Sequence, residues 1–256
     1  MAEEWRLLDT GLNDAFYNMA LDEAIATARS RRLVPNTIRL YRWMPSAVSI
    51  GYFQSMEEEV DIEACDEMGI DYVRRRTGGG AVYHDTNGEL TYSIVVDEDH
   101  RLVSEDFLET YRKLCSGLVL GLRKLGIPAE FKPINDIVVH GKKISGNAQT
   151  RRMHVILQHG TILRRVDPEL MFRVLKVPSE KIRDKMIRTV KERVTSIRDV
   201  LGRDVSFEEL KEAIIRGFEE SFKIKLIRGD ITEFEEELAQ RLKDEIYSSK
   251  EWNFKR

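Results

Sequence analysis

Between Asn13 and Ser30 the apolar residues Phe16, Ala20, Leu21, Ala24, Ile25 and Ala28 recur at helical spacing, with Asn13 as the expected cap. Two β-rich runs follow, 38–43 and 47–53, connected through Pro45. Residues 57–69 read as a helix that Gly69 closes, and 71–76 as a further extended run. Thr86-Asn87-Gly88 then joins the runs 81–84 and 89–96, and an Asn-Gly between β-rich runs predicts a hairpin. Residues 108–125 form an amphipathic helix ended by Gly126. A second hairpin is expected around Gly141, between 137–140 and 143–145, followed by a strand at 155–163. The last third predicts helices at 168–175, 179–193, 206–222 and 232–247. Ser206-Phe207-Glu208-Glu209 and Thr232-Glu233-Phe234-Glu235 supply capping boxes for the last two. The pattern is an α+β one: a strand-rich body over about 1–165 and a helical closure over about 166–256.

Charge and composition narrow the function classes. The 41 basic and 44 acidic residues nearly cancel, so the net charge of −3 gives no footprint for nonspecific nucleic-acid binding. Abundant Glu, Lys and Arg with few Gly and Pro lean toward a thermophilic source. No run of about 18 apolar residues is present for a membrane span. The start, Met1-Ala2-Glu3-Glu4, lacks the basic-then-apolar pattern of a signal peptide, and a cytoplasmic protein is expected. Cys65 and Cys115 have neither CxxC spacing nor clustered histidines, so they read as buried thiols rather than a disulfide or zinc site.

Three segments carry candidate chemistry. In Arg74-Arg75-Arg76-Thr77-Gly78-Gly79-Gly80-Ala81-Val82-Tyr83-His84-Asp85, three consecutive glycines allow close backbone approach and point N–H groups at oxyanions. The arginines before them add forked donors for phosphate or carboxylate. A flexible loop with solvated arginines would explain a lone glycine run; the flanking residues favour an oxyanion site. It is neither a Walker A loop nor a Rossmann fingerprint. In Pro133 to Gln149 the hairpin sets Lys143 on a strand, where a fixed ammonium can hold a carboxylate against a phosphate, while Lys142 reads as a solvated turn residue. In Gln158-His159-Gly160-Thr161 a histidine stands inside a β run, a setting more common for a hydrogen-bonded core residue than for a catalyst.

Together RRRTGGGAVYHD at 74–85, INDIVVHGKKISGNAQ at 134–149 and HGTIL at 159–163 resemble the lipoate–protein ligase A family, within the group that also holds biotin ligases and octanoyltransferases. Arg39-Leu40-Tyr41, Ile50 to Gln54, Lys191 to Val194 and Ser249 to Asn253 extend the likeness over nearly the whole chain. The resemblance implies a single catalytic domain over 1–256 with mixed or antiparallel sheets flanked by helices. It implies ATP contacts by Arg75, Gly80, Ala81, Val82, Tyr83 and Lys143, and lipoate contacts by Lys143, Gly78, Gly79, His84 and His159. Asn135, Asp136, Ser145 and Gly146 fall in the same motifs as supporting residues. Magnesium would be held mainly by ATP, with Asp136 the one side chain considered for it. The chain stops at Arg256 without the small C-terminal domain of bacterial single-chain ligases. That resembles the archaeal two-part type, in which a separate small subunit supplies the missing part, and a docking patch for it is expected beside 232–247.

The implied reaction activates lipoate with ATP to lipoyl-AMP and passes the acyl group to a lysine of a lipoyl-domain protein, such as a 2-oxoacid dehydrogenase E2 or the glycine cleavage H protein. An apolar tunnel is needed for the acyl chain, with Val48, Ile50 and Tyr52 as lining or as strand core. The alternatives are an octanoyl or lipoyl transferase working between carrier proteins without ATP, and a noncatalytic acyl- or nucleotide-binding subunit. The transferase is expected to need a thiolate; the loop Pro128 to Pro133, where some octanoyltransferases carry theirs, has no cysteine.

Overall fold

The computed structural model describes residues 2–177 and 179–256, without the side chain of residue 180. In chain order the elements are β1 (Glu3–Asn13), α1 (Ala15–Ser30), β2 (Thr37–Trp43), β3 (Ala47–Ile50), α2 (Met56–Glu59), α3 (Ile62–Met68), β4 (Asp71–Arg74), β5 (Val82–His84) and β6 (Glu89–Asp97). Then come α4 (Phe107–Lys124), β7 (Glu130–Lys132), β8 (Asp136–Val139), β9 (Lys142–Arg152), β10 (Val155–Leu163), α5 (Pro168–Val174), α6 (Glu180–Arg193) and α7 (Ile197–Leu201). The chain closes with α8 (Phe207–Phe222), β11 (Ile224–Arg228), α9 (Glu233–Leu242), which widens into a π-helical turn over Lys243–Tyr247, and α10 (Lys250–Asn253).

Eight strands form one sheet in the order β11-β1-β2-β6-β10-β9-β8-β7, and β4-β3-β5 form a smaller one. β11, β1 and β2 run parallel, and every other pair in the large sheet is antiparallel. This is the expected α+β class, with mixed sheets flanked by helices. Both faces of the large sheet are covered. On one, Leu40, Tyr92 and Ile156 pack against Leu118 and Leu122 of α4 and Ile214 and Phe218 of α8. On the other, Tyr41, Trp43 and Leu157 meet Leu21 and Ile25 of α1 and Ala239 of α9. β6 is consequently buried from Glu89 to Val96 instead of alternating, as a strand covered on both faces must be. Burying each Leu or Ile side chain contributes about 1.5–3 kcal/mol.

Several local expectations are corrected. α1 is capped by Asp14, whose side chain accepts from the Tyr17 N–H, and not by Asn13, which ends β1. The single helix expected at 57–69 is broken at Val60, whose extended backbone bridges to Leu175. The hairpin expected through Asn87-Gly88 does not form. β5 pairs with β3 in the small sheet, whereas β6 pairs with β2 and β10 in the large one. The Asp85–Glu89 turn therefore hands the chain from one sheet to the other. The hairpin at Gly141 does form, with His140 and Gly141 both at positive φ, as a two-residue turn requires. Thr232 and Glu235 make a reciprocal capping box. The helical third also contributes β11, which edges the large sheet. Among the described residues no large apolar side chain of 232–247 is exposed, because α9 packs on α1; the exposed large apolar side chains of the helical third are Ile182, Met186 and Ile227. No described helix is long and apolar enough to cross a membrane.

Candidate active site

The glycine run links β4 to β5 and is built around Arg75. Its guanidinium makes five hydrogen bonds: to Ser49 O (3.0 Å), Ser49 Oγ (3.2 Å), Thr77 Oγ1 (3.2 Å), Gly78 O (2.8 Å) and Gly80 O (2.7 Å). Gly79 turns at φ +97°, where a side chain is strained, and a Cβ there would lie 2.9 Å from the Arg75 guanidinium. Burial pulls the Arg75 pKa down to about 10. Arg75 thus shapes the loop from inside. Its neighbours do not supply the free forks expected of them. Arg74 is buried and binds backbone carbonyls of Tyr52, Trp252 and Asn253, anchoring α10. Arg76 turns away to Glu23 (2.9 Å) and lies over the Trp252 ring. The N–H groups of Gly79, Gly80 and Ala81 find no acceptor among the described residues.

Lys143 is the second residue of β9 and pairs with Val138 of β8. Its Nζ lies 2.7 Å from Asp136 Oδ1, a close ion pair whose angle falls short of a hydrogen bond, and its side chain is 41% exposed. The aliphatic end of Lys143 crosses over Gly146, where a Cβ would come 2.7 Å from both Cε and Nζ. Asn135 and Asn147 exchange amide-to-backbone hydrogen bonds (2.5 and 2.8 Å), which ties the loop before β8 onto β9. Tyr92 adds a third contact, donating to Asn147 Oδ1 at 2.6 Å.

Two histidines border the site, each held at both ring nitrogens. His159 Nδ1 is 3.2 Å from Asp22 Oδ2 and its Nε2 is 2.7 Å from Thr77 Oγ1. Burial lowers its pKa, keeping the ring neutral, and Asp22 is itself fixed by Arg39 (2.9 Å) and Ser93 (2.8 Å). His84 stacks on Trp43 at 4.0 Å, with Nδ1 2.6 Å from Glu89 Oε1 and Nε2 2.8 Å from Ser49 Oγ.

These groups surround one cavity of about 330 Å³. Its walls include Arg75, Gly79 to His84, Asn135, Lys143, Gly146 and His159 from the expected set. Three expected residues are not on its walls. Gly78 offers its carbonyl to Arg75, Asp136 pairs with Lys143, and Ser145, within β9, is fully buried. Val48 and Ile50 belong to the core of the small sheet, while Tyr52 lies against Lys255 and Trp252. The apolar lining comes instead from Met19, Trp43, Leu163, Met171, Val190 and Val194. Cys65 and Cys115 are both buried outside the cavity, with burial pushing each thiol up to about 12. Ser49, Glu89 and Asp22 belong to no motif that marks them in the sequence: Ser49 meets His84 once β3 pairs with β5, Glu89 meets it across the 85–89 turn, and Asp22 meets His159 across 137 residues of chain.

A model of the lipoyl protein ligase A/B catalytic domain matches residues 14–219. The chain belongs to this family. The octanoyltransferase LipM of Kyrpidia tusciae is 44% identical, covering 99% of this chain and all of that protein. LipM of Geobacillus kaustophilus is 40% identical with both chains fully covered. Among solved structures, a chain from an archaeal lipoylation system of Thermoplasma acidophilum, described as a bi-partite lipoate protein ligase and its E2 lipoyl domain, superposes with a TM-score of 0.88. It is 39% identical and covers 98% of this chain and 96% of that one.

The chain is accordingly an enzyme of the lipoate ligase and octanoyltransferase family. The specific expectation of an ATP-dependent lipoate ligase is overturned: curated relatives at 36–44% identity over essentially the whole chain are octanoyltransferases from bacteria. The physical reason is that both reactions deliver an acyl group to an amine through an oxyanion at the same carbonyl. A glycine loop and a strand lysine serve either acyl donor. The expectation of ATP and magnesium rests on the ligase side of that likeness alone. Asp136, considered for magnesium, is engaged by Lys143, and no cluster of three metal-ligating side chains occurs among the described residues.

Proposed function

We propose that the protein transfers an octanoyl group from a thioester on a carrier protein to the ε-amine of a lysine on a lipoyl domain, using neither ATP nor magnesium. The observation that carries this reading is the site itself: a cavity of about 330 Å³ with an apolar lining, a fixed lysine, and a glycine loop whose N–H groups find no acceptor among the described residues. The names of the relatives supply the acyl chain. The octanoyl tail lies along Met171, Val190 and Val194, and its carbonyl meets Lys143 Nζ and the Gly80 and Ala81 N–H groups. These stabilise the oxyanion of the tetrahedral intermediate, where each such donor is worth about 10²–10³-fold in rate. A protein lysine then forms the amide and the carrier thiol departs. Lipoyl domains of an E2 subunit or of the glycine cleavage H protein are the acceptors of this reading, in which a small subunit for adenylation has no step to serve.

Incubating the protein with octanoyl-carrier protein and a lipoyl domain, without ATP, should add one octanoyl group to the domain by intact mass. A domain left unmodified there, but lipoylated when free lipoate and ATP are supplied instead, would overturn the proposal.

A further inference from the structure

The cavity holds a nucleophile–base–carboxylate chain for which the motifs gave no hint. Ser49 Oγ lies 2.8 Å from His84 Nε2, and His84 Nδ1 lies 2.6 Å from Glu89 Oε1. Ser49, His84 and Glu89 all border the cavity. The direction of each hydrogen bond follows from what the groups can do. Trp43 Nε1 is only a donor, so Thr91 Oγ1 accepts from it (2.7 Å) and turns its own proton to Glu89 Oε1 (2.8 Å). The carboxylate accepts, so His84 donates from Nδ1. That leaves Nε2 with its lone pair toward Ser49 and makes Ser49 the donor. Arg75 adds an N–H to Ser49 Oγ at 3.2 Å, which favours the alkoxide. Glu89 Oε2 is buried without a partner among the described residues, so the carboxylate is poised to stabilise an imidazolium when one forms.

We infer that Ser49 is an acyl-accepting nucleophile, with His84 as its base and Glu89 as the positioning residue, so that transfer proceeds through an octanoyl-serine ester. The inference rests on the proposed thioester substrate. It explains how a family member whose thiols are both buried outside the site can still divide transfer into two steps. In the first step Ser49 Oγ bonds to the acyl carbon, its proton passes to His84 Nε2, the C–S bond breaks, and the proton goes on to the leaving thiolate. In the second, the acceptor amine attacks the ester, the C–Oγ bond breaks, and the amine's proton returns through His84 to Ser49. Water in place of the amine gives slow thioesterase activity.

The test uses the full chain with octanoyl-pantetheine alone, quenched in acid and read by intact mass and peptide mapping. The expected result is one octanoyl group on the peptide containing Ser49, stable to neutral hydroxylamine as an ester and not a thioester. Ser49→Ala should lose the adduct and at least about 10²-fold in transfer rate, whereas Ser49→Cys should carry a hydroxylamine-labile adduct at the same position. His84→Gln should slow adduct formation without moving it. An unlabelled wild-type chain that still modifies a lipoyl domain, or a folded Ser49→Ala chain that transfers at the wild-type rate, would overturn the nucleophile while leaving the transferase reading intact. No transfer by the wild type from any octanoyl thioester would remove that reading itself.

Discussion

Gly146→Ala should cripple transfer without disturbing the fold. The glycine lies beneath Lys143, and a methyl group there would stand 2.7 Å from both Cε and Nζ. Nonbonded carbon contacts settle near about 3.5–4.0 Å, so the end of the lysine must withdraw by roughly 1 Å. A displacement of about 1 Å in a catalytic group costs on the order of 10²-fold in rate, or about 2.7 kcal/mol of transition-state stabilisation. The backbone tolerates the change: Gly146 is not among the glycines at positive φ, and the lysine tip can swing into solvent. Thermal unfolding should therefore stay within the range of surface substitutions, about ±0.5 kcal/mol. Lys143→Ala removes the ammonium outright and should cost about 10²-fold or more. Because both changes act through one side chain, the double variant should be no slower than Lys143→Ala. Octanoyl transfer to a lipoyl domain under single-turnover conditions measures all three. A wild-type rate for Gly146→Ala, or losses that simply multiply in the double variant, would refute the claim that this glycine places the lysine.

Gly79→Val forces a branched residue to φ +97° against an arginine locked by five hydrogen bonds. It should abolish octanoyl-thioester binding, measured by calorimetry, and normal binding would show the loop to be a mere turn. Replacing both Cys65 and Cys115 by Ala should leave octanoyl transfer within about threefold of wild type, since neither thiol reaches the cavity; a trapped acyl-cysteine in the parent protein would contradict this. The His159 pKa is lowered by burial, so the unfolded chain binds its proton first. The stability it contributes is complete above about pH 6.5 and is lost as pH falls from there toward the lower folded value. Asp22, where the pull of His159 and Arg39 outweighs burial, continues the loss below about pH 4. Denaturant melts from pH 7 to pH 4 should show this decline, and His159→Gln should flatten its first stage; an unchanged profile would reject the assignment. Arg6→Ala strands the fully buried Glu235 carboxylate and should destabilise by about 3–5 kcal/mol in the same melts.

Much of the architecture was legible along the chain because it is locally encoded. The 3.6-residue period of α4 and α8, the Ser206 and Thr232 caps, and the β10 run each depend on neighbours within a few residues. β1 was illegible: Glu3 to Asn13 has no clean alternation, and the strand is held by β2 and β11, about 30 and 220 residues away. The Asn87-Gly88 turn shows the opposite failure, a strong local hairpin signal overridden because His84 and Glu89 pair with different sheets.

The site divides along the same line. From sequence alone, the glycine run, Lys143 and the two histidine motifs were enough to locate the family and eleven residues of the cavity wall, because close backbone approach and a fixed cation demand particular residue types at short spacing. Tertiary structure alone decided what the charges face. It turned Arg74 and Arg76 away from the cavity, folded Arg75 into the loop, moved the apolar lining from β3 to Met171, Val190 and Val194, and set Ser49 and Glu89 on either side of His84. A hydrogen bond is fixed by distance and direction in space, and nothing in the order of residues along the chain specifies either until the sheets have formed.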